Sequence, residues 1–246
     1  KMADFFLNEH SHTFNLAHNH GTWMAAAVGM TGFVINDYEY VEKSIYGSNK
    51  DGNGGFLYQL DNLFSPDGFY TEGAYYHRYA IQPFFIFAES IHNNQASLNI
   101  YSYRNSILKK TFYTLLQLTN TDGSFIPIND AIKGKSDLSP EIVTALNLTF
   151  YRFGNDASLL GIANRQNKVL LNGAGLAVAK SVADQKEISP FDYKSVFLSD
   201  GKDGKSGGVS ILRHGPVSDQ SILVMKYTGH GLSHGHYDKL SFLYYN

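Results

Sequence analysis

Three short segments carry residues whose types and spacing suit acid–base chemistry. The first, NLAHNHGTW at 15–23, places His18, Asn19 and His20 directly before an apolar run. A helix N-terminus presents unpaired N–H groups and a partial positive charge, so an amide and an imidazole there favour a bound carboxylate. The alternative is that Asn19 only caps the helix while both histidines lie on the surface. The spacing alone leaves both interpretations open.

The second segment, PDGFYTEGAYYHRY at 66–79, is rich in tyrosine. A phenol titrates near about pH 10 and is a poor base unless a nearby cation lowers its pKa. Arg78, or a protonated histidine, is expected to lower the pKa of Tyr76 in this way. The alternative is ordinary aromatic packing, because Tyr75, Tyr76 and Tyr79 fall close together around one helix.

The third segment, TGHGLSHGHYDKL at 228–240, contains three histidines. In an extended chain, His234 and His236 point the same way, and His230 precedes them by one short turn. This spacing indicates a metal, typically zinc bound through imidazole nitrogens. A structural zinc site needs about four ligands. One histidine as ligand beside another in catalysis also fits, so the pattern does not define a complete site.

The composition narrows the class of ligand. With 20 Lys and Arg against 22 Asp and Glu, the net charge is -2, which gives no support to nucleic acid or a heavily sulfated polymer as partner. Aromatic residues make up 14% of the chain, and their planar faces suit sugar rings as well as cores. No apolar run approaches the roughly 20 residues that span a bilayer, so we expect no membrane span.

The order of elements predicts an α+β, multidomain protein. Helical patterns occupy the first 165 residues, and from about residue 170 the pattern changes to short β-branched or aromatic runs. Helices followed by strands favour two domains or layers over an alternating α/β fold. We place the domains at 1–182, a helical toroid or bundle, and 183–246, the first strands of a β-sheet domain. The last strand-like run, KLSFLYYN, is cut short, which indicates an internal piece of a longer chain.

Taken together, the segments NHGTW, FSPDGFYTEGAYYHRYAIQPF and GHGLSHGHYDKLSF resemble polysaccharide lyase family 17, the oligoalginate lyases of the heparinase II/III-like group. Their order matches that family, and the likeness extends over the whole chain. The resemblance implies an (α/α) toroid followed by antiparallel sheets. It also implies β-elimination of 1,4-linked uronates, with alginate oligomers as the acidic ligand. Exolytic cleavage is expected, although the residues themselves do not distinguish the end of a polymer from its interior.

The resemblance also implies roles for individual residues. Asn19 and His20 are expected to neutralise the uronate carboxylate, Tyr76 to transfer the proton, and His234 to act as a second proton-transfer or carboxylate-binding group. Substrate contacts fall on two further residues, Arg78 and Tyr75. Tyr75 also supports the site, together with Glu72.

A structural zinc ion is implied as cofactor, with His236 as the ligand in this chain and the remaining ligands beyond Asn246. The family likeness further suggests a periplasmic or secreted enzyme. Three other interpretations stay open: a heparan-type glycosaminoglycan lyase of the same fold, a noncatalytic oligouronate-binding protein, and a zinc hydrolase built on His230, His234 and His236. The oligomeric state is not indicated by the sequence.

Overall fold

Helices precede a β-sheet in this computed structural model, which describes residues 1–229, 234–236 and 239–246. Within the described residues the α-helices are α1 Met2–Asp4, α2 Ser11–Asn15, α3 Asn19–Ile35, α4 Tyr38–Tyr46, α5 Gly55–Leu63, α6 Ala74–Asn94, α7 Tyr103–Gln117, α8 Pro140–Arg152, α9 Leu160–Gln166 and α10 Gly173–Asp184. The strands are β1 Val196–Ser199, β2 Gly208–His214, β3 Ser221–Lys226 and β4 Ser241–Tyr245. This order confirms the predicted fold class.

The helix α3 begins where the sequence predicts. His18 is its N-cap residue, with extended backbone, and its side chain accepts the backbone N–H of His20. The helix packs closely on its neighbours, since a Cβ at Gly29 would overlap the ring of Phe87. The run GTWMAAAVGMTGFVI is apolar almost all round and predicts a buried helix. This prediction is wrong for one side of α3, where Ala27, Thr31 and Val34 are exposed.

The long helix α6 forms the centre of the apolar core. Its Phe84, Phe85 and Phe87 are fully buried, and it packs against α3 and α8. Burial of each such side chain contributes about 1.5–3 kcal/mol. The sequence predicts a kink or a restart at Pro83, and the structure shows that the helix does not restart there, because one helix runs through this residue.

The four strands form one antiparallel sheet in the order β1-β2-β3-β4. All four lie within the runs from which they were predicted. Arg213 of β2 holds the sheet against the helices, because its Nη2 donates to the carbonyl oxygens of Gln117 and Thr119 at 2.8 and 2.7 Å. At a second contact, Ser199 N donates to Asp67 Oδ2 at 2.9 Å. The sheet therefore has a fixed position beside the loop that leads into α6.

Residues 185–195 connect α10 to β1 without helix or strand. The proposed division at 182 and 183 falls two residues before the end of α10. Whether 1–182 and 183–246 are parts of two larger domains stays a prediction. No helix among the described residues is both long and apolar enough to cross a bilayer.

Candidate active site

Glu72 lies at the centre of a buried polar cluster. Its side chain is fully buried, and its Oε2 accepts hydrogen bonds from Asn19 Nδ2 at 2.8 Å and from the Tyr70 hydroxyl at 3.1 Å. Its Oε1 and the Asn19 Oδ1 are also buried, and neither has a hydrogen-bond partner among the described residues. Unpaired buried acceptors cost free energy in a folded protein. An added hydrogen-bond donor or a cation would therefore stabilise this cluster.

His18 connects this cluster to the start of α3. Its Nε2 lies 3.8 Å from Glu72 Oε1, and its ring centroid lies 4.9 Å from that of His20. Burial is the main reason why the pKa of His18 is below its usual value, and the negative charge of Glu72 opposes this shift. His18 is therefore neutral at neutral pH. The alternative that Asn19 caps the helix is wrong, because His18 is the cap residue and Asn19 donates to Glu72. Carboxylate binding by Asn19 and His20 stays a prediction.

The segment between β3 and β4 contributes His234 to the candidate site. The ring of His234 stacks on the ring of Tyr76, with centroids 3.5 Å apart and planes 12° apart. The same imidazole lies 5.7 Å, centroid to centroid, from His18. The structure thus brings the predicted catalytic residues of α3, α6 and the sheet segment together through a continuous series of contacts.

Asp130 anchors the two histidines of the sheet segment. Its Oδ2 lies 3.0 Å from His234 Nδ1, and its Oδ1 lies 2.7 Å from His236 Nε2. These hydrogen bonds hold the pKa of Asp130 below its usual value, with the bond to His236 the largest cause. The sequence does not indicate Asp130 as a site residue, because it falls in the run TDGSFIPINDA, whose composition predicts only a loop.

The predicted direction of the Tyr76 pKa shift is wrong. Burial is the main cause that raises the pKa of the Tyr76 phenol, and the charge of Asp130 adds to it. Arg78 is two residues along the same helix, and such residues face different sides of a helix. Tyr76 is thus protonated at neutral pH, which suits a proton donor.

Arg78 is committed to an internal ion pair. The residue is 5% exposed, and its guanidinium pairs with Glu141 of α8 and lies over the ring of Tyr75 at 5.0 Å. The ring of Tyr75 in turn contacts that of Tyr76, with centroids 5.2 Å apart. Arg78 therefore packs against Tyr75 and helps to fix the position of that ring. Direct uronate binding by Arg78, which would require breaking the ion pair, stays a prediction.

Two groups of residues have side chains of the kinds that bind metal ions. His236 pairs with the Asp130 carboxylate, as metal-binding histidines commonly do. Asp130 and His236 alone do not make a four-coordinate site, so the zinc role of His236 stays a prediction, as does the need for ligands outside this chain. His230, part of the hydrolase interpretation, lies outside the described residues. Separately, ligand atoms of His18, Glu72 and His234 lie within 4.8 Å of one another.

The fold itself matches a known class of enzyme structure. A crystal structure of heparinase III superposes with a TM-score of 0.64 over 93% of this chain and 33% of that chain. The two sequences are 15% identical, so the likeness shows the fold alone. It agrees with the expected toroid helices followed by an antiparallel sheet.

The chain belongs to the alginate lyase family, whose family model matches residues 3–125. It is 48% identical over 245 residues to the exo-oligoalginate lyase of Saccharophagus degradans, covering 100% of this chain and 33% of that protein. It is 45% identical over 245 residues to the alginate lyase of Stenotrophomonas maltophilia, covering 100% and 32% respectively. The chain thus spans about a third of the length of these curated relatives. The resemblance drawn from the three motifs is confirmed at the level of the family.

Proposed function

We propose that the protein to which this chain belongs cleaves 1,4-linked uronates of alginate by β-elimination. The stacked pair of Tyr76 and His234 carries this proposal, since it sets a phenol and an imidazole beside the buried Asn19–Glu72 cluster. Family membership and the alginate lyase names of both relatives support the choice of substrate.

In this reaction the C5 proton is removed next to the uronate carboxylate, the C4–O bond breaks, and a double bond forms between C4 and C5. The carboxylate must be neutralised, because the intermediate would otherwise carry two negative charges. The exposed imidazole of His20 and the N-terminus of α3 supply donors for this purpose. One Nδ2 hydrogen of Asn19 goes to Glu72 and the second is available. Because Asn19 is fully buried, its contact with a uronate requires a shift of a covering side chain.

Tyr76 serves in this proposal as the acid that protonates the departing O4 oxygen. Its raised pKa keeps the phenol protonated until the bond breaks. His234 is held by Asp130 through Nδ1, and its ring lies flat against the phenol. In this proposal His234 is the base that accepts the C5 proton while Tyr76 protonates O4, and the carboxylate is bound by Asn19 and His20.

Three finer features belong to the same proposal. Exolytic action is supported by the name of the Saccharophagus relative. A structural zinc ion bound by His236 is supported by the carboxylate partner of that imidazole. It would fix the sheet segment without entering the chemistry. A periplasmic or secreted location rests on the family resemblance alone.

The proposal is tested on the intact protein with defined alginate oligomers. The ultraviolet absorbance of the conjugated double bond should rise with time, and product analysis should show release of unsaturated monouronate from chain ends. Heparan sulfate serves as the parallel substrate. Rapid product formation from heparan sulfate alone would reassign the substrate, and oligouronate binding without unsaturated product would identify a binding protein.

A further inference from the structure

The group formed by His18, Glu72 and His234 is assembled from three distant parts of the chain. The first caps α3, the second precedes α6, and the third comes from the segment between β3 and β4. Their ligand atoms lie within 4.8 Å of one another, and the two measured atoms, His18 Nε2 and Glu72 Oε1, are 3.8 Å apart. Zinc bonds to nitrogen and oxygen of about 2.0–2.2 Å place tetrahedral ligands roughly 3.3–3.5 Å apart. Forming a site would therefore take a closure of about half an ångström between His18 and Glu72, and of at most about 1.5 Å between any two of the three ligand atoms.

The carboxylate of this group has the features of a metal ligand. Glu72 is fully buried, and its Oε1 faces His18 without a hydrogen-bond partner among the described residues. Its other oxygen, Oε2, is fixed by Asn19 and Tyr70. Hydrogen bonds of this kind orient ligating carboxylates in known metal sites. A cation would satisfy this oxygen, which has no hydrogen-bond partner among the described residues.

His234 has an equally suitable arrangement. Its Nδ1 is held by the Asp130 carboxylate at 3.0 Å. A carboxylate on one ring nitrogen orients the other nitrogen toward a metal and increases its basicity. His234 would then bind through Nε2. Two imidazoles and one carboxylate form a ligand set that zinc accepts, with a fourth position left for water.

His18 limits the affinity of such a site. Its Nδ1 accepts the backbone N–H of His20 at 3.2 Å, so the neutral ring carries its proton on Nε2, on the side of Glu72. Zinc would replace that proton, and the ring proton would move to Nδ1 at the expense of this contact. This contact caps α3, so its loss opposes the binding of zinc. Binding should therefore be reversible rather than permanent.

We propose that His18, Glu72 and His234 form a dissociable zinc site, separate from the structural zinc expected at His236. The site shares His234 with the proposed catalytic centre. Bound zinc should therefore exclude alginate oligomers and inhibit cleavage. Only this consequence rests on the proposed function; the binding of zinc does not.

The test is calorimetric titration of the intact protein with zinc alone at neutral pH, after removal of weakly held metal. We expect one dissociable zinc, with at least tenfold weaker binding in both His18→Gln and Glu72→Gln. His92→Gln is the matched control, because it removes a half-buried imidazole that contacts Arg152, far along α6. It should bind zinc as the unaltered protein does. His236→Ala should lose tightly held metal and keep the dissociable site.

Unchanged affinity in His18→Gln, or equal loss in His92→Gln, would overturn the proposal. If Glu72→Gln fails to fold, crystals of the unaltered protein soaked in zinc decide the matter. An anomalous peak between the three side chains supports the site, and zinc found only at other positions refutes it. A protein that binds zinc here but forms no unsaturated sugar would refute the proposed function and leave this inference standing.

Discussion

The ring of Tyr76 lies parallel to the ring of His234 at 3.5 Å, although one belongs to α6 and the other to the segment between two strands. This contact joins the helical part of the chain to the sheet at the place where the chemistry is proposed. Neither ring alone marks an active site. Their stacking next to the buried carboxylate of Glu72 supports the proposed site, because it places a proton donor and an imidazole beside a buried polar cluster.

Replacing Tyr76 by Phe should remove the proton donor while keeping the stacked ring. We expect turnover on alginate oligomers to fall by about 10²–10⁴-fold, the usual contribution of a positioned acid or base. The rate of appearance of the unsaturated product measures this. Tyr103→Phe is the control, since its hydroxyl bonds Asp61 away from the site. Near-normal turnover in Tyr76→Phe would contradict the assigned role.

Replacing Asp130 by Asn should release the two histidines that it holds. We expect a loss of about 10–100-fold in activity or in metal retention, as found for groups that orient a reactive or ligating histidine. Asp130→Glu should recover part of the loss, because it restores a carboxylate. Steady-state kinetics and metal content of both variants provide the measurement. Equal losses in Asn and Glu variants would point to a packing defect instead.

Breaking the ion pair of Arg78 and Glu141 should destabilise the protein. Glu141→Leu leaves the buried Arg78 without its charge partner, at a cost of about 3–5 kcal/mol. The double variant Arg78→Met with Glu141→Leu should recover most of this stability. Thermal unfolding measures both. A double variant with normal KM for oligomers would show that Arg78 does not bind the uronate.

His77 should make folding stability depend on pH. Burial lowers the pKa of His77 to about 3, from 6.5 for a free side chain. Between these values the unfolded chain binds a proton that the folded chain does not, so stability decreases as the pH falls below 6.5. The free energy of unfolding should drop by up to about 1.4 kcal/mol per pH unit through this window.

His77→Phe isolates this contribution, because the ring continues to pack against Tyr70 and Phe64. The difference in unfolding free energy between the two proteins should grow in favour of the variant as the pH falls from about 6.5 toward 4. Denaturant titrations at several pH values measure it. Parallel curves for the two proteins would show that His77 is not the titrating group.

The sequence predicted all four strands and most of the longer helices because their signals are local. The helix α10 lies after residue 170, where the sequence favoured strands. The start of α3 follows from polar residues before an apolar run, and Ser139 with Pro140 marks the start of α8. The Ser139 hydroxyl, however, donates to the Ser136 carbonyl rather than capping the helix. The strands follow from short apolar runs bounded by turn residues. The three motifs also determined the family.

Contacts between distant residues were decided by the tertiary structure alone. Nothing local marks Asp130, because its importance comes from two histidines more than a hundred residues later. Arg78 pairs across helices with Glu141 and so does not act on Tyr76. The direction of the Tyr76 pKa shift depends on burial and on facing charges, which only the packed chain defines. Residue types and order thus set the helices, strands and family, whereas charge environment and partners arise only where separate segments meet.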